Sequence, residues 1–276
     1  MTRTCLIIVD GLRYDTAVSE CGYLAASVES GEARLWKMQS CLPTISAPLY
    51  ETIHTGLAPI EHGILGNEGI RPSRNPNVFS ELKAAGRLCG AVAHSYFHTL
   101  YGGSAFDPFE HTEIDDTTQP IAFARYYSME GYCRENSCMP SDIDLCAQTW
   151  KIAHTYAPDY LLLHMPACDT LGHWFTSESS EYRIQASKTD NALSRLIPRL
   201  RGAEYDVLVT ADHGINADGH HAGNQSCLRE VPFYAFSESV SADENAILDQ
   251  RAIAPTILSL IGENSPKSMT EAALTK

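Results

Sequence analysis

Four groups of acidic and imidazole side chains in this sequence are candidates for chemistry, and three of them come shortly after an apolar segment. They are Asp10, Asp169 with His173, Asp212 with His213, and one of His220 or His221. Two divalent ions a few ångströms apart need about six carboxylate or imidazole ligands, with open positions for the oxygen atoms of a substrate. The chain supplies that set, and we therefore predict a site for two divalent metal ions.

Each of these residues also has an ordinary structural explanation. An aspartate at the end of a strand is often the N-cap of the following helix. Asp169 and His173 are four positions apart, and such a pair on a surface turn is often merely solvated. A single histidine is more often a hydrogen-bonded polar residue than a ligand. Four such groups in one chain are harder to explain separately, which favours the metal site.

A hydroxyl nucleophile is offered by the segment from Leu42 to Gly56. Thr44 and Ser46 stand there at the expected start of a helix, where a serine is also a common N-cap. The free N–H groups of a helix N-terminus can hold a phosphoryl oxygen, and a nearby metal lowers the pKa of a hydroxyl. The hydroxyls of Thr44 and Ser46 are therefore both candidate nucleophiles.

Apolar runs with the length of strands alternate with segments of helical periodicity. The predicted strands are Cys5–Val9, Leu88–Ala93, Tyr160–Met165, Tyr205–Thr210 and Val231–Phe236, and the predicted helices are Ser46–His54, Phe79–Ala85, Asp142–Tyr156, Glu181–Leu200 and Ile253–Ile261. This alternation predicts an α/β fold with a mostly parallel central sheet flanked by helices on both faces. Ligands collect at the carboxyl ends of such strands, where Asp10, Asp169 and Asp212 stand. We expect a single domain over residues 1–276, with residues 97–141 forming a small cap or insertion over the site.

Composition limits the possible partners. The chain has 276 residues, of which 44% are apolar and 20% charged, as in ordinary globular proteins. Its net charge of −14 disfavours binding to a nucleic-acid polymer, which requires clustered Lys and Arg. An anionic substrate must then be attracted locally, by bound cations and helix N-termini. The sequence does not indicate an oligomeric state.

The N-terminal segment and the cysteines indicate the compartment. The apolar run Cys5–Val9 is much shorter than a signal-peptide core or a membrane span, so we expect no membrane association. Nine cysteines are scattered without framework spacing, which favours free thiols in a reducing cytoplasm. Cys133 and Cys138 are close in sequence, but without a second pair they do not indicate a zinc site or a disulfide.

Five motifs follow one another in a fixed order along the chain. They are Val9–Arg13; Pro43–Ser46 followed by Thr55–Ile64; Asp169–His173; Ala211–Gly214; and His221 ahead of Arg229–Phe233, with Ile253–Leu258 as a closing helix. In this order the motifs resemble the alkaline phosphatase superfamily, particularly its nucleotide pyrophosphatase/phosphodiesterase branch. The resemblance covers most of the chain.

This resemblance implies a role for each residue. One ion would be held by Asp10, Ser46, Asp212 and His213, and the other by Asp169, His173 and His221. Zinc is the usual ion of that family, and manganese is a chemically tolerable alternative.

The family register also separates the alternatives. The nucleophile of the family stands nine positions before its Thr-Gly motif, which is Ser46 here and leaves Thr44 as the second choice. The third histidine ligand stands eleven positions before a proline, which is His221 here and leaves His220 as its alternative.

Two positions depart from the patterns of the superfamily. Leu49 stands where the diesterase branch commonly has an asparagine that binds a phosphoryl oxygen, and Tyr50 stands where sulfatases have an arginine. Without that arginine, conversion to formylglycine is not expected.

The resemblance implies a phosphodiesterase that acts on a small anionic substrate through a phosphoseryl intermediate on Ser46. Phosphonate hydrolysis, as in phosphonoacetate hydrolase, and phosphomonoesterase activity are alternatives, and a non-catalytic metabolite-binding protein is an alternative of another class. Arg13, His98 and Tyr101 are candidate substrate contacts that are as readily explained as structural residues.

Overall fold

The computed structural model describes residues 2–129 and 139–276, so that Cys133 and Cys138 lie outside the described residues. Strands in these ranges join into one nine-stranded sheet. They are β1 Arg3–Val9, β2 Arg34–Gln39, β3 Cys89–His94, β4 Glu113–Asp115, β5 Phe123–Tyr127, β6 Tyr160–Met165, β7 Tyr205–Thr210, β8 Glu230–Phe236 and β9 Ile247–Asp249.

The strand order in the sheet is β4-β5-β3-β6-β1-β7-β8-β2-β9. Five of the neighbouring pairs are parallel and three, β2/β8, β4/β5 and β7/β8, are antiparallel. The central strand β1 is almost entirely apolar, and every residue from Thr4 to Val9 is buried. Such a strand is typical of a sheet covered on both faces. The predicted mostly parallel α/β fold is confirmed.

Helices flank the sheet in two groups. The described helices are α1 Tyr14–Glu20, α2 Gly22–Glu29, α3 Ser46–Thr55, α4 Pro59–His62, α5 Val78–Ala84, α6 Ser95–Tyr101, α7 Pro108–His111, α8 Asp142–Tyr156, α9 Ala167–Phe175, α10 Ser180–Gly202, α11 Ser226–Arg229 and α12 Ile253–Ile261. Helix α10 packs against α1, α2, α8 and α9, whereas α12 packs against α3, α5 and β1. None of the helices in the described ranges is both long and apolar enough to cross a membrane.

The register of the central strands brings the predicted acids to one edge. Val9 at the end of β1 pairs with Met165 at the end of β6, and Ile8 pairs with Thr210 at the end of β7. The chain leaves all three strands at the same level of the sheet. The loops and helix that follow must therefore share one crevice.

Residues 97–141, the predicted cap, contribute strands to the sheet. Within this segment β5 pairs in parallel with β3, and β4 pairs with β5 at the outer edge of the sheet. The segment also includes nine residues outside the described ranges. A capping role for it stays a prediction.

Candidate functional site

A first cluster of ligand atoms surrounds His213. Its Nε2 lies 3.3 Å from Oδ2 of Asp212 and 3.6 Å from Oδ1 of Asp10. The hydroxyl of Ser46 is 3.3 Å from the same nitrogen. One ligand atom from each of Asp10, Asp212 and His213 lies within 4.8 Å of the others. These four side chains are the set that the sequence predicts for one ion.

A second cluster is centred on Asp169. Its Oδ1 lies 3.5 Å from Nε2 of His173 and 3.9 Å from Nε2 of His221. Asp169, His221 and His213 also provide ligand atoms within 4.8 Å of one another. The rings of His213 and His221 are stacked with centroids 4.1 Å apart. The two clusters are therefore adjacent, with His213 between them.

Backbone carbonyls orient all three imidazoles in the same way. Nδ1 of His173 bonds to the carbonyl of Gly219 at 2.8 Å, and Nδ1 of His221 to that of Thr44 at 2.8 Å. Nδ1 of His213 lies 3.1 Å from the carbonyl of Gly214. A carbonyl only accepts hydrogen bonds, so each Nδ1 carries the hydrogen and each Nε2 presents a lone pair. Metal-binding histidines are commonly held in this way.

Three buried carboxylate oxygens in the site have no hydrogen-bond partner among the residues that the structure describes. They are Oδ1 of Asp10, Oδ1 of Asp169 and Oδ2 of Asp212. A buried carboxylate oxygen without a partner is costly, and a coordinated cation removes that cost. Unpaired carboxylate oxygens beside free imidazole lone pairs fit divalent cations of the zinc type.

The charge states of the acids reflect their proximity. Burial and then the charge of Asp10 raise the pKa of Asp169, and burial with the charges of Asp10 and Asp169 raises that of Asp212. Burial also acts to raise the pKa of Asp10, but hydrogen bonding from His164 and the attraction of His213 outweigh it and lower the pKa. Three carboxyl groups this close together favour the binding of positive charge.

The imidazoles of His213 and His221 are neutral at ordinary pH. Burial lowers the pKa of His213 to about 3, with the neighbouring His221 as the second cause. Burial is also the main cause of the lowered pKa of His221. A neutral imidazole keeps the lone pair that a metal ion requires.

Ser46 is the first residue of α3, and the structure separates it from Thr44. Ser46 is 7% exposed and lines the cavity beside the acids. The hydroxyl of Thr44 instead donates to the carbonyl of Gly223, and the carbonyl of Thr44 accepts from His221. Thr44 thus supports a ligand, and Ser46 presents the hydroxyl.

The structure also distinguishes between the two adjacent histidines, His220 and His221. His221 points to Asp169, whereas His220 is exposed and its backbone bonds with Asn216 on the surface of the same loop. Of these two histidines, His221 belongs to a cluster of possible metal ligands among the described residues, and His220 does not.

A cavity of about 270 Å³ opens over these clusters. Its lining residues are Asp10, Ser46, Tyr50, Asn67, His94, Tyr96, Met129, His164, Pro166, Asp169, Thr170, His173 and Trp174. Asn67 is a residue that sequence reasoning missed. Its Oδ1 accepts the backbone N–H of Ala47, next to the serine, at 2.9 Å. Leu49 is fully buried and is not among these lining residues.

The predicted substrate contacts have structural partners elsewhere. Arg13 forms ion pairs with Asp15 and Glu178. His98 is buried and stacks on His111, with ring centroids 4.1 Å apart. The hydroxyl of Tyr101 donates to the backbone carbonyl of Tyr50. In the described part of the chain, none of Arg13, His98 and Tyr101 lines the cavity, so their role in substrate binding stays a prediction.

Comparisons with known proteins identify the family and the fold of this chain. The family model described as type I phosphodiesterase / nucleotide pyrophosphatase matches residues 4–231. The catalytic subunit of GPI ethanolamine phosphate transferase 3 of Mus musculus is 23% identical over 95% of this chain, which spans 24% of that relative's length.

Two solved structures share the fold. A murine ectonucleotide pyrophosphatase / phosphodiesterase 5, inactive and in complex with AMP, superimposes with a TM-score of 0.72 at 12% identity, over 96% of each chain. Phosphonoacetate hydrolase of Sinorhizobium meliloti 1021, in complex with phosphonoformate, gives a TM-score of 0.53 at 21% identity, over 77% of this chain and 56% of that one.

Proposed function

Because the chain belongs to the type I phosphodiesterase / nucleotide pyrophosphatase family of the alkaline phosphatase superfamily, we propose that it hydrolyses phosphate esters, diesters first, with Ser46 as the nucleophile. One observation carries the proposal. The Ser46 hydroxyl lies 3.3 Å from Nε2 of His213, and Ser46 lines one cavity together with Asp10 and Asp169. Each of these two aspartates has a buried carboxylate oxygen without a hydrogen-bond partner among the described residues.

The metal ligands would divide as the family pattern implies. Asp10, Asp212 and His213 with Ser46 would hold one divalent ion, and Asp169, His173 and His221 the other. Zinc is the ion we propose, with manganese as the alternative. Such ions, when bound, neutralise phosphoryl oxygens and lower the pKa of a coordinated hydroxyl.

The proposed reaction has two displacements at phosphorus, the first of them by Ser46. The Ser46 hydroxyl loses its proton to solvent, its Oγ attacks phosphorus to form a Ser–O–P bond, and the bond to the leaving group breaks. The leaving group takes up a proton from solvent and departs as an alcohol. A water molecule then attacks the phosphoseryl group from the opposite side and releases the serine. Each displacement inverts phosphorus, so the two steps together retain its configuration. His213, with its pKa lowered to about 3, is a poor base for the serine proton and serves as a ligand.

Asn67 is placed to bind the transferring group. The N–H of Ala47 holds Oδ1 of Asn67, which leaves the two hydrogens of the side-chain nitrogen for another acceptor. Since Asn67 lines the cavity next to Ser46, we propose that this NH₂ donates to a phosphoryl oxygen. It would supply the contact that Leu49 does not make.

Other outcomes belong to the same proposal. Phosphonate and phosphomonoester hydrolysis are the alternatives within this chemistry. The mouse relative is named as an ethanolamine phosphate transferase, which suggests transfer of a phosphate-containing group as a further alternative to hydrolysis. A metabolite-binding protein without turnover is the alternative of another class. Cytoplasmic location and a cap formed by residues 97–141 are further proposals.

Activity toward bis(4-nitrophenyl) phosphate, 4-nitrophenyl phosphate, 4-nitrophenyl phenylphosphonate and 4-nitrophenyl sulfate, with and without chelator, tests the function. We expect the diester to be the best substrate and the chelator to abolish turnover. Ser46→Ala should nearly abolish activity and retain bound metal, whereas Ser27→Ala, which removes a buried hydroxyl on α2, should remain active. Full diesterase activity in Ser46→Ala would refute the assignment, and metal binding without any turnover would favour the binding protein.

A further inference from the structure

A buried series of hydrogen-bonding groups ends on Asp10. The hydroxyl of Tyr50 donates to Oδ2 of Asp10 at 2.5 Å and lies 2.7 Å from Nε2 of His164. That nitrogen is itself 3.1 Å from the same carboxylate oxygen. The other ring nitrogen of His164, Nδ1, lies 2.6 Å from the hydroxyl of Tyr127. Tyr50 and His164 are 2% and 1% exposed, so water cannot replace these bonds.

In the arrangement with a single ring hydrogen on His164, every group in this series is satisfied, and the Tyr127 hydroxyl also lies 3.4 Å from the backbone carbonyl of His164. The single hydroxyl hydrogen of Tyr50 goes to the Asp10 carboxylate, which has none to donate. Nε2 of His164 must then be the donor toward Asp10 and Tyr50, and Nδ1 must accept from Tyr127. Tyr127 thereby selects the tautomer of His164, and His164 donates a hydrogen bond to Asp10.

As a consequence, the two carboxylate oxygens of Asp10 have different surroundings. Oδ2 has two protein donors, whereas the buried Oδ1 has no hydrogen-bond partner within residues 2–129 and 139–276 and lies 3.6 Å from Nε2 of His213. We propose that Tyr50, His164 and Tyr127 are positioning residues that reserve Oδ1 of Asp10 for a divalent cation and thereby set the affinity of the first cluster. This inference rests on the proposed function, because it assumes that Asp10 is a metal ligand.

The series also connects four elements of the fold. Tyr127 lies on β5, His164 on β6 and Tyr50 on α3, and Asp10 follows β1. The ring of Tyr50 stacks on Phe97 with centroids 4.5 Å apart, so packing fixes the position of its hydroxyl.

The helix that carries Tyr50 also begins with the proposed nucleophile. Tyr50 and Ser46 are four residues apart on α3 and share one helix face. The bond from Tyr50 to Asp10 therefore sets the nucleophile's helix relative to the first metal cluster.

Zinc affinity of the metal-free full chain, measured by competition with a chromophoric chelator, tests the proposal without substrate. Tyr50→Phe keeps the packed ring and removes the hydroxyl. We expect Tyr50→Phe to weaken one of two zinc equivalents by about 10- to 100-fold, the usual cost of losing such a support, and to spare the other. Tyr126→Phe is the matched control, because Tyr126 neighbours Tyr127 and its buried hydroxyl has no hydrogen-bond partner in the described part of the chain.

A second set of three variants tests whether Tyr127 acts through His164. Tyr127→Phe should weaken the same zinc equivalent, since it removes the group that selects the tautomer of His164. If Tyr127 acts only through His164, then His164→Asn and the double variant His164→Asn/Tyr127→Phe should bind zinc equally well. Tyr127 is only half-buried, so Tyr127→Phe decides the question if Tyr50→Phe does not fold.

The outcomes separate this inference from the proposed function. Unchanged zinc affinity in folded Tyr50→Phe and Tyr127→Phe overturns the inference alone, and so does equal weakening of both zinc equivalents. A wild-type protein that binds no zinc or manganese overturns the inference together with the proposed metal-dependent function. Circular dichroism of each metal-free variant shows which of them are folded.

Discussion

Gly11 lies so close to Asp169 that a Cβ at position 11 would be 2.7 Å from the Cα of Asp169. Gly11 also has a φ of +73°, in the left-handed region that favours glycine. It directly follows Asp10 and contacts the helix that carries Asp169 and His173. This contact therefore sets the spacing of ligands from the two clusters.

Gly11→Ala should separate the two clusters. The added methyl group must move the backbone of Asp169, so we expect metal affinity and diesterase activity to fall by at least about tenfold, with a loss of stability of about 1–3 kcal/mol. Gly31→Ala is the control, because Gly31 has a φ of +79° with no atom near its missing Cβ. If both variants lost the same stability and neither lost metal affinity, the contact with Asp169 would not matter.

Asn67→Asp should lower turnover as much as Asn67→Ala. The aspartate keeps an oxygen that can accept the N–H of Ala47 but has no NH₂ to offer a phosphoryl oxygen. Loss of such a donor typically reduces kcat by about 10²- to 10³-fold. Steady-state kinetics with the diester would measure this, with bound zinc assayed in parallel and the exposed Asn191→Ala as control. Normal kcat in Asn67→Asp would show that only the support of Ala47 is needed.

The sequence predicts the centre of the sheet better than its edges. Strands β6 and β7 and helices α8 and α12 have the predicted bounds, and β1, β3 and β8 are found within two residues of theirs. Strand β2 is missed because charged and polar residues occupy its exposed positions. Strands β4 and β9 have three residues each, too few for a periodic pattern.

Site residues were predictable where a strand end or a motif marks them. Asp10, Asp169 and Asp212 stand just after central strands, and parallel pairing brings such positions together. Asn67 lies in an irregular loop and His164 within an apolar strand, so neither has a local signal. Their roles depend on contacts with residues far away in sequence, which only the folded chain reveals.

Zinc affinity should fall steeply as the pH is lowered. Burial and neighbouring carboxylates raise the pKa of Asp169 and Asp212, so these groups keep their protons to a higher pH than ordinary carboxyls, and any proton they hold must leave when a cation binds. Lower pH favours the protonated groups and therefore weakens binding. His213 does not compete in this way until near pH 3, because its pKa is lowered to about 3. Calorimetry of zinc binding at several pH values, in pairs of buffers with different ionisation enthalpies, measures the released protons, and a proton release that does not grow as the pH falls would contradict this account.

His54 should make the protein less stable in mild acid. Its imidazole is fully buried, with Nδ1 on the carbonyl of Tyr50 and Nε2 on the hydroxyl of Tyr160. Burial lowers its pKa from 6.5 to about 4. Between these values the unfolded chain binds a proton at His54 and the folded chain does not, so stability is present above about pH 6.5 and is lost as the pH falls toward 4.

The expected size of this loss is about 3 kcal/mol at pH 4, from about 1.4 kcal/mol per pKa unit. Denaturant unfolding of the metal-free protein between pH 7 and pH 4 measures it. His54→Gln has no titrating group there and should show a shallower fall in the free energy of unfolding than wild type. The exposed His154→Gln should follow the wild-type curve. Parallel curves for wild type and His54→Gln would mean that His54 gains a proton in the folded state as easily as in the unfolded one.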